Sequence, residues 1–146
     1  MSKFVHLHVH TEFSLLDGLS KIPKLVSQAK IMGMQHLAIT DHGSLYGAIK
    51  FYKECKQEGI NPIIGSEMYI AKRSMHDKES GKDNENFHLT VLARDEEGYK
   101  NLMKLVTLAH LEGFYYRPRV DKELLSRHSK GLMALSGCNS SEVSKA

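Results

Sequence analysis

Val5-His6-Leu7-His8-Val9-His10-Thr11 alternates three aliphatic residues with three histidines. Successive side chains of an extended strand point to opposite faces. Val5, Leu7 and Val9 are thereby expected on one face, and His6, His8 and His10 on the other. A ladder of imidazoles builds no apolar core, but imidazole nitrogen is a good ligand for zinc, iron and manganese-like ions. A single His-x-His is a weak signal, so the remaining ligands have to come from elsewhere in the chain.

Strands are expected at residues 3–10, 37–40, 62–70, 87–93 and 132–136. Between the first two, Ser20 reads as a helix N-cap with Pro23 in the first turn. Ile22, Leu25, Val26, Ala29 and Met32 then recur at helical spacing, and Gly33 ends the run. A second helix is expected to turn Ala48, Ile49, Phe51, Tyr52 and Cys55 inward and to stop at Gly59. Asp95 caps a long helix to about Leu111 with Leu102, Met103, Leu105, Val106 and Ala109 as its buried stripe. Asp121 starts a short helix to about His128. Residues 72–86 read as a polar, mobile loop and residues 113–120 as another loop. Short apolar strands alternating with helices imply parallel βα units and an α/β fold. An open sheet and a closed barrel both fit that pattern. No glycine-rich phosphate loop follows the first strand, which argues against a dinucleotide or P-loop fold.

The polar residues without a simple structural use share one place. His8 and His10 end the first strand, Asp41 and His42 the second, Glu67 lies late in the third, and Cys138 follows the fifth. Sites in α/β folds form at the C-terminal ends of strands. Asp17, in the loop after the first strand, is placed to fold over that rim, whereas His88 fits less well because it is early in its strand. Mixed imidazole and carboxylate ligands around two or more divalent ions suit phosphoryl transfer, where the ions clamp the attacking and leaving oxygens. A cysteine ligand would favour zinc or iron over magnesium. Asp41 is read as a group orienting His42 rather than as a ligand. His6, one step deeper, is expected to pack and hydrogen-bond beneath the site. His36, His76, His110 and His128 are read as surface residues, and Met32, Met34, Met68, Met103 and Met133 as core.

The 146 residues are 41% hydrophobic and 25% charged, as in an ordinary soluble globular domain. A formal charge of +3 permits contact with phosphates without establishing it. Cys55 and Cys138 are far apart, and no signal peptide is seen, so free thiols in a reducing cytoplasm are expected. No apolar run is long enough for a membrane span.

His8-Val9-His10-Thr11, with Ser14 and Asp17-Gly18, followed by Ile39-Thr40-Asp41-His42-Gly43, resembles the first two motifs of the PHP (polymerase and histidinol phosphatase) family. Gly65-Ser66-Glu67 and Leu135-Ser136-Gly137-Cys138 resemble later ligand positions of that family. The resemblance is closer still to the branch that opens the large subunit of bacterial replicative DNA polymerases. Residues 4–18, 41–47, 87–93, 98–102 and 114–119 carry it, so it spans essentially the whole chain. It implies part of a distorted (β/α)7 TIM-like barrel and a cluster of up to three divalent ions (Zn2+, Mn2+ or Fe2+). His8, His10, Asp17, His42, Glu67, His88 and Cys138 would hold the ions, with His8, His10, Asp17, His42 and Glu67 as the catalytic set. The family's final Asp-x-His pair has no counterpart here. The expectation is therefore that residues 1–146 are the N-terminal portion of a PHP domain, with its last strands and the polymerase domains downstream.

The implied function is a metal-dependent phosphoesterase, acting as a 3′–5′ exonuclease within a DNA polymerase that engages DNA and other replicase subunits in the cytoplasm. One alternative is a catalytically silent module that stabilises the polymerase and docks a proofreading subunit. Another is a stand-alone phosphatase. No ligand substitution is seen in these motifs beyond the family's histidine-to-cysteine alternative at Cys138, which favours retained chemistry.

Overall fold

The computed structural model describes residues 4–15, 17–137 and 139–145. Cys138 lies outside the described residues. The element order is α1 (Ile22–Ile31), β1 (His36–Ile39), α2 (Ala48–Glu58), β2 (Asn61–Ala71), β3 (Asn86–Ala93), α3 (Glu96–Leu111), β4 (Arg119–Val120), α4 (Lys122–Arg127), β5 (Leu132–Leu135) and α5 (Glu142–Lys145).

β2 is the spine of a mixed sheet. One edge of β2 carries β1 in parallel, with Leu37 opposite Pro62 and Ile39 opposite Ile64. A single parallel bridge of His42 to Glu67 continues that edge, and β4 pairs beyond it, with Tyr69 opposite Arg119. The other edge carries β3 antiparallel, with Glu67 opposite Thr90 and Tyr69 opposite His88. β5 then pairs antiparallel with β3. β1, β2 and β5 therefore run in one sense, as expected, and only β3 is reversed; β4, which runs with them, falls in the stretch 113–120 that was expected to be a loop. The physical reason is the connection. Residues 72–85 contain no helix to carry the chain back across the sheet, and without such a crossover the next strand returns antiparallel.

The histidine-bearing stretch runs beside β1 without becoming a strand. The N–H of Ala38 donates to the His6 carbonyl, and that of Thr40 to the Val9 carbonyl. Between them, the Val9 N–H donates to the Thr40 hydroxyl at 2.8 Å. A side chain thus takes the place of a ladder bond, and regular pairing stops. Val5, Leu7 and Val9 are still half-buried, while His6 and His8 are exposed.

Two cores flank the sheet. Ile22, Val26, Leu37, Ile39, Phe51 and Cys55 fill the space among α1, α2 and β1. Met68, Ile70, Val91, Leu102, Leu105 and Val120 fill the space under α3. α1 buries Ile22, Val26 and Ala29, one helical stripe, and its N-cap is Lys21 with no side-chain cap rather than Ser20. Asp95 caps α3 through the Gly98 N–H at 2.9 Å, and Asp121 caps α4 through the Leu124 N–H at 2.9 Å. Ile49 and Tyr52 of α2 face outward, as do Met32, Met103 and Met133.

Residues 72–85 are an ordered turn system built on a fully buried arginine. Arg119 Nη2 donates to the Met75 and Asp77 carbonyls at 3.0 and 2.9 Å, Nη1 to the Asp83 carbonyl at 3.2 Å, and Nε to the Gly113 carbonyl at 3.1 Å. Arg73 grips the Asp83 carboxylate with Nε at 3.0 Å and Nη2 at 2.6 Å, a two-point geometry. The expected loop is present, and these contacts tie it to the body of the fold.

Candidate metal centre

Glu67 is the hub. Its chain segment is pinned on both sides, the Glu67 N–H donating to the Asp41 carbonyl and its carbonyl accepting from the Gly43 N–H. The residue is 2% exposed, a poor place for a carboxylate unless it is paired. Four imidazoles surround it. Glu67 Oε2 lies 2.9 Å from His8 Nε2, 2.8 Å from His10 Nε2 and 3.5 Å from His42 Nδ1, and Oε1 lies 2.8 Å from His88 Nδ1. Burial alone would push the Glu67 carboxyl up. Hydrogen bonds with His10, His88 and His8 outweigh it and hold the group well below the usual carboxylate range.

His88 enters because β3 is antiparallel. Its early position, which looks wrong for a parallel strand, is opposite Tyr69 and puts it on the rim beside Glu67. Asp17 reaches the cluster from the loop after His10, with Oδ2 2.8 Å from His42 Nε2. That loop closes tightly on itself. The Gly18 N–H donates to the Ser14 carbonyl at 2.8 Å, and a Cβ on Gly18 would lie 1.8 Å from the Thr11 carbonyl oxygen, so only glycine fits.

The surrounding groups aim the rings. Ser14 Oγ lies 2.8 Å from His10 Nδ1 and accepts from the His42 N–H at 3.0 Å. His10 is thus held by one ring nitrogen while the other points at Glu67. Asp41 is 1% exposed and takes both Thr11 donors, the N–H at 2.6 Å and the hydroxyl at 2.8 Å. Its partner is Thr11, the residue after His10, and not the His42 ring it was expected to orient. His6 is exposed and sets its ring edge-on to Phe4 at 4.7 Å, so it does not pack beneath the cluster. His110, read from sequence as a surface residue, is half-buried and donates to the Gly43 carbonyl at 2.9 Å, tying α3 to the loop after β1.

The donor atoms fall into three overlapping groups: His8, His10 and Glu67; His10, Asp17 and His42; and His42, Glu67 and His88. Within each, the atoms lie within 4.8 Å of one another. Several features fit divalent cations. Nitrogen and carboxylate oxygen donors are mixed, as in catalytic rather than structural sites. His42 Nδ1 is buried without a hydrogen-bond partner among the described residues. Burial pushes the His42 imidazole down, towards the neutral form that metal ligation requires, whereas the Glu67 hydrogen bond raises His10.

Two residues at the site were not foreseen. Tyr69 stacks on His42 with ring centroids 5.6 Å apart, and meets His88 edge-on at 5.2 Å. Burial pushes its phenol up, keeping it protonated. The signal was available, since Tyr69 is two residues beyond Glu67 and shares its strand face. Arg117 sets its guanidinium 5.7 Å from the Tyr69 ring centroid. Arg117 lies in the stretch 114–119 that carries the family resemblance, but no site role was read from it. With Asp17, His42 and His88, these two residues wall a cavity of about 340 Å³.

A mixed sheet here gathers imidazoles and carboxylates on one rim as a candidate metal-binding site. The model of the PHP domain matches residues 6–146, and the chain belongs to that family. It is 54% identical over 138 residues to the DNA polymerase III subunit alpha of Borreliella burgdorferi, covering 94% of this chain and 12% of that protein. The corresponding subunit of Thermus aquaticus is 50% identical over 145 residues, with 97% and 12% covered. The chain thus spans about an eighth of the length of these relatives. Among solved structures, a putative metal-dependent phosphoesterase from Bifidobacterium adolescentis superposes with a TM-score of 0.52 at 21% identity, over 72% of this chain and 32% of that one. An amidohydrolase from Chromobacterium violaceum with bound sulfate and no metal superposes with a TM-score of 0.50 at 20% identity, over 73% and 33%. These two likenesses agree with a partial TIM-like fold. Among the described residues, no helix is long and apolar enough to cross a membrane.

Proposed function

We propose that this segment is the N-terminal portion of a metal-dependent phosphoesterase domain in a replicative DNA polymerase, and that the domain removes mispaired 3′ ends. The observation that carries the reading is Glu67 with four imidazoles converging on it. A fold maintained by apolar packing alone has no use for that set, because each buried polar group costs stability unless it is satisfied.

His8, His10, Asp17, His42, Glu67 and His88 would hold the ions. Cys138, whose structure is not described, remains a proposed ligand from the sequence pattern. When bound, divalent zinc, manganese or iron supplies Lewis acidity toward a phosphoryl oxygen and lowers the pKa of water. The chain's own residues have separate tasks. Glu67 offsets cationic charge at the buried side. Ser14 fixes the direction of the His10 ring, and the Asp41–Thr11 pair ties together the backbone next to His10 and His42. Asp17, half exposed, stands at the mouth, where an incoming phosphodiester meets the cluster. Arg117 offers a guanidinium to phosphate oxygens, and protonated Tyr69 offers a phenol donor beside it. In this reading the partners are DNA and other replicase subunits, and the setting is the cytoplasm.

The test is hydrolysis of a primer with a mismatched 3′ end by the full-length protein and its His10→Ala variant, with divalent metal supplied. Shortening of the primer that depends on His10 supports the reading, and its absence refutes it. A second reading also has an observation in its favour. The donors come from four separate segments, the N-terminal stretch, the loop after β1, β2 and β3, so bound ions would cross-link the fold. Under that reading metal raises thermal stability while no His10-dependent nuclease signal is seen.

A further inference from the structure

A second cavity, of about 220 Å³, adjoins the one at the donor cluster. The two share His42, Tyr69 and Arg117 in their walls. The far wall is aromatic. Tyr46 is 64% exposed, Phe114 51% and Tyr116 64%. Large aromatic rings left in water around a concavity mark a binding surface more often than chance exposure does.

The backbone holds the Tyr116 ring out. Tyr116 has φ +58, a left-handed conformation that costs a bulky residue energy and persists only where its surroundings impose it. Here the Tyr115 N–H donates to the Arg117 carbonyl, closing the turn at 3.0 Å. Just beyond, Arg119 is locked by its carbonyl contacts, and Pro118 sits so close to Gly43 that a Cβ there would lie 2.7 Å from the proline ring. The turn is therefore seated on the same loop that delivers His42.

A second observation points to a ligand. Ser44 forms part of the wall, is 4% exposed, and its hydroxyl has no hydrogen-bond partner among the described residues. Arg117 lies between the two cavities and forms no salt bridge with a described carboxylate, so its charge is available to an anion.

We propose that Tyr46, Phe114 and Tyr116 form a stacking platform for the base of the terminal unpaired nucleotide, with Arg117 on the phosphate that links base and donor cluster. This inference rests on the phosphoesterase reading for its orientation. Stacking on aromatic side chains is tolerant of sequence because every base has a π face, which suits a site that must accept any mispaired end. A protein segment covering the same rings would need no cationic group between them and the donor cluster.

The test uses the full-length protein and a primer carrying 2-aminopurine as its unpaired 3′-terminal base. Stacking quenches the fluorescence, whether or not hydrolysis occurs, so calcium can replace the active metal. The parent is expected to quench the probe on binding. Tyr46→Ala and Phe114→Ala are expected to weaken binding about tenfold each, with Tyr46→Phe restoring it. In the hydrolysis assay, the parent's preference for a base-bearing over an abasic 3′ end is expected to collapse in the alanine variants. No quenching by the parent, as when protein covers the rings, overturns the proposal. So does quenching by both alanine variants at the parent's affinity. If His10-dependent hydrolysis is absent while quenching and its loss are seen, the platform stands and the phosphoesterase reading falls.

Discussion

Asp41 holds Thr11 by two hydrogen bonds, from the backbone N–H at 2.6 Å and from the hydroxyl at 2.8 Å. Both residues are fully buried, and each stands next to a donor, His42 in one case and His10 in the other. Asp41→Ala leaves the Thr11 donors without a partner in a dry site. That is expected to cost about 1–3 kcal/mol and to lower metal affinity about 10–100-fold by releasing His10. Chemical denaturation and metal titration of the same variant check the two effects.

Arg119→Met keeps much of the volume and removes the guanidinium donors to the Met75, Asp77, Asp83 and Gly113 carbonyls. Four backbone carbonyls lose their partner at once. Destabilisation of about 3 kcal/mol or more is expected, together with new protease cleavage between residues 72 and 85. Limited proteolysis under native conditions reads this directly.

The Arg73 guanidinium beside Asp83 lowers its carboxyl from the ordinary 3.8 to about 2. A group depressed on folding contributes stability that is present above its unfolded pKa and lost as pH falls through its folded pKa. The loop around Arg119 should therefore loosen as pH drops from about 4 to about 2. Asp83→Asn should flatten the pH dependence in that window. Thermal melts of parent and variant across the window, in low salt, provide the comparison.

Burial pushes the Cys55 thiol up to about 12, and the side chain is fully enclosed in the core beside α1. Its thiolate is scarce at neutral pH. At pH 8, alkylation of Cys55 in the native protein should be many times slower than in denaturant. Mass-resolved labelling that follows the Cys55 peptide separates it from Cys138.

The donor set was legible because its motifs are local. His8-Val9-His10 and Asp41-His42 sit where a short apolar segment ends, Asp17 follows in the next loop and Glu67 lies late in its strand, so position points them to one rim, and the family resemblance completed the set. Strand direction was not legible. Hydrophobic pattern gives a strand's faces but not its sense, so the return of β3 and the arrival of His88 on the rim depended on the shape of residues 72–85. That shape in turn depends on Arg119, an arginine in a loop that composition assigns to solvent. The first stretch shows the opposite limit. Its alternation is that of a strand, yet the Thr40 hydroxyl competes for the Val9 N–H and breaks the ladder. Partners of single polar residues, such as Thr11 for Asp41 and Gly43 for His110, are contacts across the fold that spacing along the chain does not encode.

The central claim is that the imidazoles around Glu67 are there to hold divalent ions, and bound-metal analysis tests it most directly. The full-length protein, purified without chelator and exchanged into metal-free buffer, should retain zinc, manganese or iron by mass spectrometry of the elements. Glu67→Gln, which keeps the shape and removes the charge, should lose most of it while circular dichroism still shows a folded chain. Retention of the same metal by folded Glu67→Gln, or no metal in the parent even after saturation with each ion, would contradict the account.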